Sequence, residues 1–220
     1  MAKERQETHP EVTETVRKEA EKRLAWLGLS LKSIRGKSTL DVGASDRVIE
    51  KVARFEGAED YISLDRTQNP LYREPYLKGT IVARANAIPL PDNNRELVLA
   101  WSGVPLHTKE KDEAEKILLE MERVISETGE IRINPPRLAF IERELIAKDP
   151  ELEAVLGKGF RRTMKDAEIL KKYRDEVTRR STEFLLSAGF DVHLESLEGD
   201  ERVDDFHKNL WIIKKRKNVN

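Results

Sequence analysis

"STLDVGASDRVIEKVARF", Ser38 to Phe55, is the stretch on which the reading of the whole chain turns. Thr39, Leu40, Asp41 and Val42 suit a buried strand, Gly43 breaks it, and Val48, Ile49, Val52 and Phe55 then recur on one face of a helix. A strand, a glycine turn and a helix in this order open many cofactor sites, because the amides of the turn and of the helix N-terminus face whatever lies beyond the strand. A single glycine is also what an ordinary βα turn requires, as its positive-φ residue. The rest of the chain decides between these readings.

Downstream, "DYISLD", ending in Asp65, is a second strand, and the spacing gives a βαβ unit with a parallel crossover. "TQNPLYREPYLKG" is loop-like, "TIVARA" a short third strand, "IPLPDNN" a turn and "ELVLAWS" a fourth strand. From Lys111 to Ser126 a stripe of Ala114, Ile117, Leu118, Met121 and Ile125 predicts a helix, followed by Gly129 and the strand "EIRIN". Upstream, Thr8 caps a helix with Pro10 in its first turn, and Val12, Val16, Ala20, Leu24 and Leu27 carry it to Gly28.

Beyond Pro135 and Pro136 two helical pieces, "LAFIERELIAK" and "AEILKKYR", surround the breaker-rich "DPELEAVLGKGFRRT". Residues 137–175 are read as a helical insertion or lid. "EVTRRSTEFLLSAG" is a helix ending at Gly189, and the strands "FDVHLESL" and "KNLWIIKKRK" are joined without a helix, so they are antiparallel. The expectation is an α/β fold, a mostly parallel sheet with an antiparallel last strand and helices on both faces. Residues 1–220 form a single domain, with residues 1–36 as N-terminal helix and linker.

Composition narrows the function. Charged residues make up 37% of the chain and nearly cancel, for a formal net charge of -1, which disfavours a nucleic-acid partner. The absence of cysteine excludes disulfides, thiolate metal sites and cysteine nucleophiles. "MAKERQETHP" has no apolar signal-peptide core and no run is long enough for a membrane span, so a cytoplasmic protein is expected.

The succession of elements, with Asp41 and Gly43 closing the first strand, resembles the class I S-adenosylmethionine-dependent methyltransferases over roughly Lys37 to Lys215. The resemblance implies a Rossmann-like sheet, S-adenosyl-L-methionine as cofactor and no metal. That family's first strand ends in Asp-x-Gly-x-Gly-x-Gly. Asp41 and Gly43 match it, while the next two glycines fall on Ser45 and Arg47. "GAS" turns occur in some members. Arg47 is expected on the outer helix face, the other reading being a reach back to the methionine carboxylate.

Asp65 matches the family's acidic residue that accepts hydrogen bonds from both ribose hydroxyls, for which a carboxylate offers two acceptor oxygens in one plane. In "ARANAIPLPDNNRELVLAWSGVPLH", Asn86 and Ala87 take the place that contacts adenine, and Glu96 replaces the usual aspartate before the fourth strand. The resemblance extends the cofactor set to Ala44, Ser45, Arg66 and Trp101. "GVPLH" is similar to the Gly-Val-Leu-His of small-molecule methyltransferases and places His107 at the rim of the site, as the candidate catalytic base. It favours a small-molecule acceptor.

Other readings stay open beside this one. A Gly-x-Gly-x-x-Gly of a nicotinamide enzyme would fall on Gly43, Ser45 and Val48, a poor fit. A methyltransferase-like scaffold without catalysis, or an RNA methyltransferase, are the alternatives. Asn134–Pro136 is similar to a motif of base-modifying amino methyltransferases, but it follows the fifth strand rather than the fourth. Lys158, Arg161, Arg162 and Lys165 read as a solvated run, and His193 and His207 as structural.

Overall fold

Thr39–Val42 form strand β1, buried along its whole length because strands pair with it on both sides. The structure, a computed structural model, describes residues 12–66, 80–101, 104–105, 107–157, 164–204 and 207–216. Helix α1 (Glu14–Trp26) and the short α2 (Leu31–Ile34) precede β1, and α3 (Val48–Phe55), β2 (Tyr61–Asp65), β3 (Thr80–Val82) and β4 (Arg95–Trp101) follow it. Next come α4 (Lys111–Val124) and β5 (Ile125–Asn134), then α5 (Ala139–Lys148), α6 (Pro150–Gly157) and α7 (Met164–Ser187). Strands β6 (Asp191–Ser196) and β7 (Asn209–Lys214) complete the order.

The strands make one seven-stranded sheet in the order β3-β2-β1-β4-β5-β7-β6. Pairs from β3 to β5 are parallel, and β7 runs antiparallel to both β5 and β6. Alternate residues of each strand feed opposite faces. Val98 and Ala100 of β4 join a core with Leu118 and Met121 of α4 and Leu185 of α7, whereas Leu97 and Leu99 pack with Leu24 of α1 and Ile49 and Ala53 of α3. Helices therefore cover both faces.

Gly28 ends α1 in the left-handed region, φ +64°, where the amides of Gly28 and Leu29 return to the carbonyls of Ala25 and Leu24. Arg132 of β5 then donates to the carbonyls of Leu27 at 2.9 Å and Gly28 at 3.2 Å, which ties the end of α1 to the sheet.

Several boundaries differ from the expectation. Helix α1 begins after Thr13, whose Oγ1 accepts from the Val16 amide at 3.4 Å, and Thr8 and Pro10 lie outside the described residues. Two helical pieces expected near Asp175 are the single α7, because no glycine or proline interrupts Met164–Ser187. The stretch expected to be irregular contains α6, started by Pro150 and by Asp149, whose Oδ1 accepts from the Leu152 amide at 3.1 Å. Strand β5 starts at Ile125, which pairs with Arg95 across a register shift. Gly129 permits this, since a Cβ there would lie 3.0 Å from two carbonyl oxygens of β4. Among the described residues no helix is long and apolar enough to cross a membrane.

Candidate functional site

The site grows from the turn that ends β1. Gly43, at φ 76°, keeps the ladder going by donating to the Leu64 carbonyl at 2.7 Å, and the chain then leaves the sheet. Ser45 and Arg47, which stand where the methyltransferase pattern has its second and third glycines, both have left-handed backbones, with φ 46° and 60°. The turn thus has the conformations that glycine makes easy, at a strain on the order of 1–3 kcal/mol for each non-glycine residue.

Local bonds hold that strained turn. The Ser45 amide donates to Asp65 Oδ2 at 3.0 Å, joining the ends of β1 and β2. Arg47 is buried, not on an outer face: it turns along α3 to Glu50, with Nε and Nη2 each 2.9 Å from Oε2. Arg54 binds the other oxygen of Glu50 at 2.9 Å, so one fully buried carboxylate serves two guanidiniums. The i, i+3 and i+4 spacing of these residues was the sequence signal for this network.

A cavity of about 200 Å³ lies against the turn. Gly43, Ala44 and Ser45 line it with Val48 and Ile49 of α3, Asp41, Trp101 and Arg23 of α1. Asp41 is 5% exposed and its Oδ2 accepts from the Tyr61 hydroxyl at 3.1 Å. Burial pushes its carboxyl up to about 7, with the tyrosine's hydrogen bond opposing.

Arg23 closes one side, forming two bonds to Asp46 at 2.6 and 2.8 Å while its guanidinium lies 4.4 Å over the Trp101 ring. Burial resists ionisation of Asp46, but the bonds to Arg23 outweigh it and hold its carboxyl below the usual range.

Trp101 is also the first ring of a stack. Its centroid is 5.3 Å from Trp26, and Trp26 in turn lies 3.9 Å from His207 at 11° between planes. Burial pushes the His207 imidazole below its ordinary value against the pull of Asp204, 2.8 Å away. Among the described residues neither indole N–H has a hydrogen-bond partner, although both are buried. Arg23 and Trp26 were missed in the sequence, where α1 reads only as an amphipathic helix.

The other expected residues are more scattered. Arg66 is exposed beyond Asp65, Asn86 is half-buried and Ala87 exposed in the turn after β3, and His107 is exposed beyond β4. None of these four is among the residues lining the cavity. Asn134 is buried and donates to the carbonyls of His207 and Asn209, a bridge between β5 and the approach to β7. Lys165 pairs with Glu151 at 3.1 Å, and Lys158, Arg161 and Arg162 lie outside the described residues. His193 is exposed on β6.

No protein-family model and no curated protein matches the chain. Solved structures do. A candidate S-adenosyl-L-methionine-dependent methyltransferase of Methanococcus maripaludis aligns over 95% of this chain and 91% of its own, with TM-score 0.57 and 15% identity. A candidate methyltransferase of Haloferax volcanii, solved in complex with the Trm112 methyltransferase activator, covers 93% and 92% with TM-score 0.55 and 13% identity. The plantazolicin methyltransferase BamL, solved with a triazolic desmethylPZN analog and SAH, covers 94% and 87% with TM-score 0.53 and 15% identity. The fold is therefore that of the class I S-adenosylmethionine-dependent methyltransferases, with the strand order and antiparallel β7 described above.

Proposed function

We propose that this chain is an S-adenosyl-L-methionine-dependent methyltransferase with a small-molecule acceptor, and that it holds the cofactor at the carboxyl ends of β1, β2 and β4. The observation that carries the reading is the junction of Ser45 and Asp65, 3.0 Å apart beside a cavity lined by Asp41, Gly43 and Trp101. Structural neighbours with SAH bound support the same cofactor.

The cofactor supplies a methyl group on a cationic sulfur, which passes to a nucleophile while the electron pair of the broken bond stays on sulfur. Asp65 offers its carboxylate to the ribose diol, one oxygen already oriented by the Ser45 amide. The left-handed turn lets the backbone come close to the ligand. Trp101, with Trp26 behind it, keeps water from one side. His107 takes the proton when the acceptor is a hydroxyl. The near-balanced charge of the chain supports a small molecule over a long nucleic-acid footprint.

Calorimetry with S-adenosylhomocysteine tests this. Asp65→Ala is expected to weaken binding by about 1.5–3 kcal/mol, the worth of hydrogen bonds to a charged group. An unchanged dissociation constant removes Asp65 from the site, and no binding by the parent chain leaves only a scaffold.

Asp41 adds a pH dependence. An amine cation held beside it favours the ionised carboxylate, and since burial sets the free carboxyl at about 7, binding in acid must first strip its proton. S-adenosylhomocysteine is therefore expected to bind roughly tenfold more weakly at pH ~6 than at pH ~8, and Asp41→Asn to flatten that dependence. A profile with equal slopes in both proteins would place the ammonium away from Asp41.

A further inference from the structure

We propose that a second cavity, between α5, α6 and α7 and the carboxyl end of β5, receives the methyl acceptor, and that the acceptor is an organic oxyanion with a largely apolar body. This rests on the methyltransferase reading of the first site. The cavity measures about 420 Å³, within the range of ~300–1,000 Å³ common for organic ligands. Ile146, Leu156, Leu170 and Val177, from three different helices, give it apolar walls.

Its charges are unbalanced. Lys171 and Arg174 of α7 and Lys208 at the start of β7 line the cavity, and none of the three makes an ion pair among the described residues. Arg23, Arg54, Arg123 and Arg216, by contrast, each sit in an ion pair. Two carboxylates also line the cavity. Among the described lining residues, Glu142 is paired with Arg137 at 2.9 Å, which sets Asp175 against Lys171, Arg174 and Lys208. Burial, and then the neighbouring Glu142, push the Tyr173 hydroxyl upward. A site with surplus positive charge and apolar walls selects an oxyanion on a hydrocarbon or aromatic frame.

Position links the cavity to the transfer. Trp101, at the end of β4, lines the first cavity and is the register partner of Asn134, at the end of β5. Pro135, the next residue, lines the second. The two cavities thus open at the ends of adjacent strands, whose axes lie ~4.8 Å apart. The stack Trp101–Trp26–His207 runs from the wall of the first to the residue before Lys208 of the second.

The test is ligand-observed NMR on the full chain with naphthoate, phenylbutyrate and octanoate, each against its carboxamide, alongside calorimetry with S-adenosylhomocysteine. At least one acid is expected to bind about tenfold or more tightly than its amide at low salt. That preference should vanish in the double variant Arg174→Gln, Lys208→Gln, whose circular dichroism and S-adenosylhomocysteine affinity stay those of the parent. Equal binding of acids and amides, no signal from any acid, or a preference that survives the double variant overturns the anionic acceptor while the cofactor reading stands. A parent chain that takes no S-adenosylhomocysteine fails that reading first, and with it the assignment of the cavity to an acceptor.

Discussion

Glu50→Ala is expected to cost about 3–5 kcal/mol of folding stability, the range for removing one partner of a buried ion pair. The carboxylate is fully buried and the Arg47 and Arg54 side chains are 10% and 20% exposed, so the substitution leaves two guanidiniums with little water to turn to. Arg54 keeps bonds to the carbonyls of Glu59 and Tyr61, and Arg47 loses its paired bonds to Glu50, which help to offset its left-handed backbone. The turn at the head of α3 should therefore loosen as well as the fold. Urea unfolding reads the first effect and S-adenosylhomocysteine affinity the second. A loss below ~1 kcal/mol would mean that water reaches both guanidiniums.

Trp211→Ala is expected to cost about 3–5 kcal/mol as well, by opening a cavity in the larger core. Trp211 is fully buried on β7 among Ile131, Ile133 and Leu185, and its Nε1 donates to Thr182 Oγ1 of α7 at 2.9 Å. The Thr182 hydroxyl donates onward to the Thr178 carbonyl at 2.8 Å, so it keeps a partner when the indole is lost. Trp211→Phe, which retains most of the buried area, should accordingly lose only about 1 kcal/mol beyond its volume change. Equal losses in the two variants would assign the stability to the hydrogen bond instead of to packing.

Much of the sheet was legible because its signals are local. Thr39–Val42 before Gly43, and the helix-free link between the last two strands, need no knowledge of distant residues. The ends of α1 and α7 were marked by Gly28 and Gly189, both left-handed. Less legible was what depends on partners far along the chain. Nothing near Ile125 announces a strand, since its pairing is with Arg95.

At the site the same division holds. Asp41, Gly43, Ala44, Ser45 and Trp101 were placed in a cofactor set by their order around β1 and β4, and they line one cavity. Arg47 was expected on the outer helix face, with a reach back to the methionine carboxylate as the other reading, and it is instead buried against Glu50. Its burial follows from Glu50, three residues on, whose own burial cannot be seen in a run of alternating charges. Arg23 reaches the cavity, and Trp26 stacks on the Trp101 that lines it, through tertiary packing of α1 alone.

The aromatic stack gives the protein a built-in optical reporter. Of its three tryptophans, Trp26 and Trp101 lie in ring contact at the proposed site, with the His207 imidazole on one side and the Arg23 guanidinium on the other. Trp211 is sealed in the core, where no ligand reaches it. Emission from this pair is expected to respond to whatever enters the cavity that Trp101 lines and to protonation of the imidazole beside Trp26, over a constant background from the third. Filling of the proposed site should thereby be readable without a label.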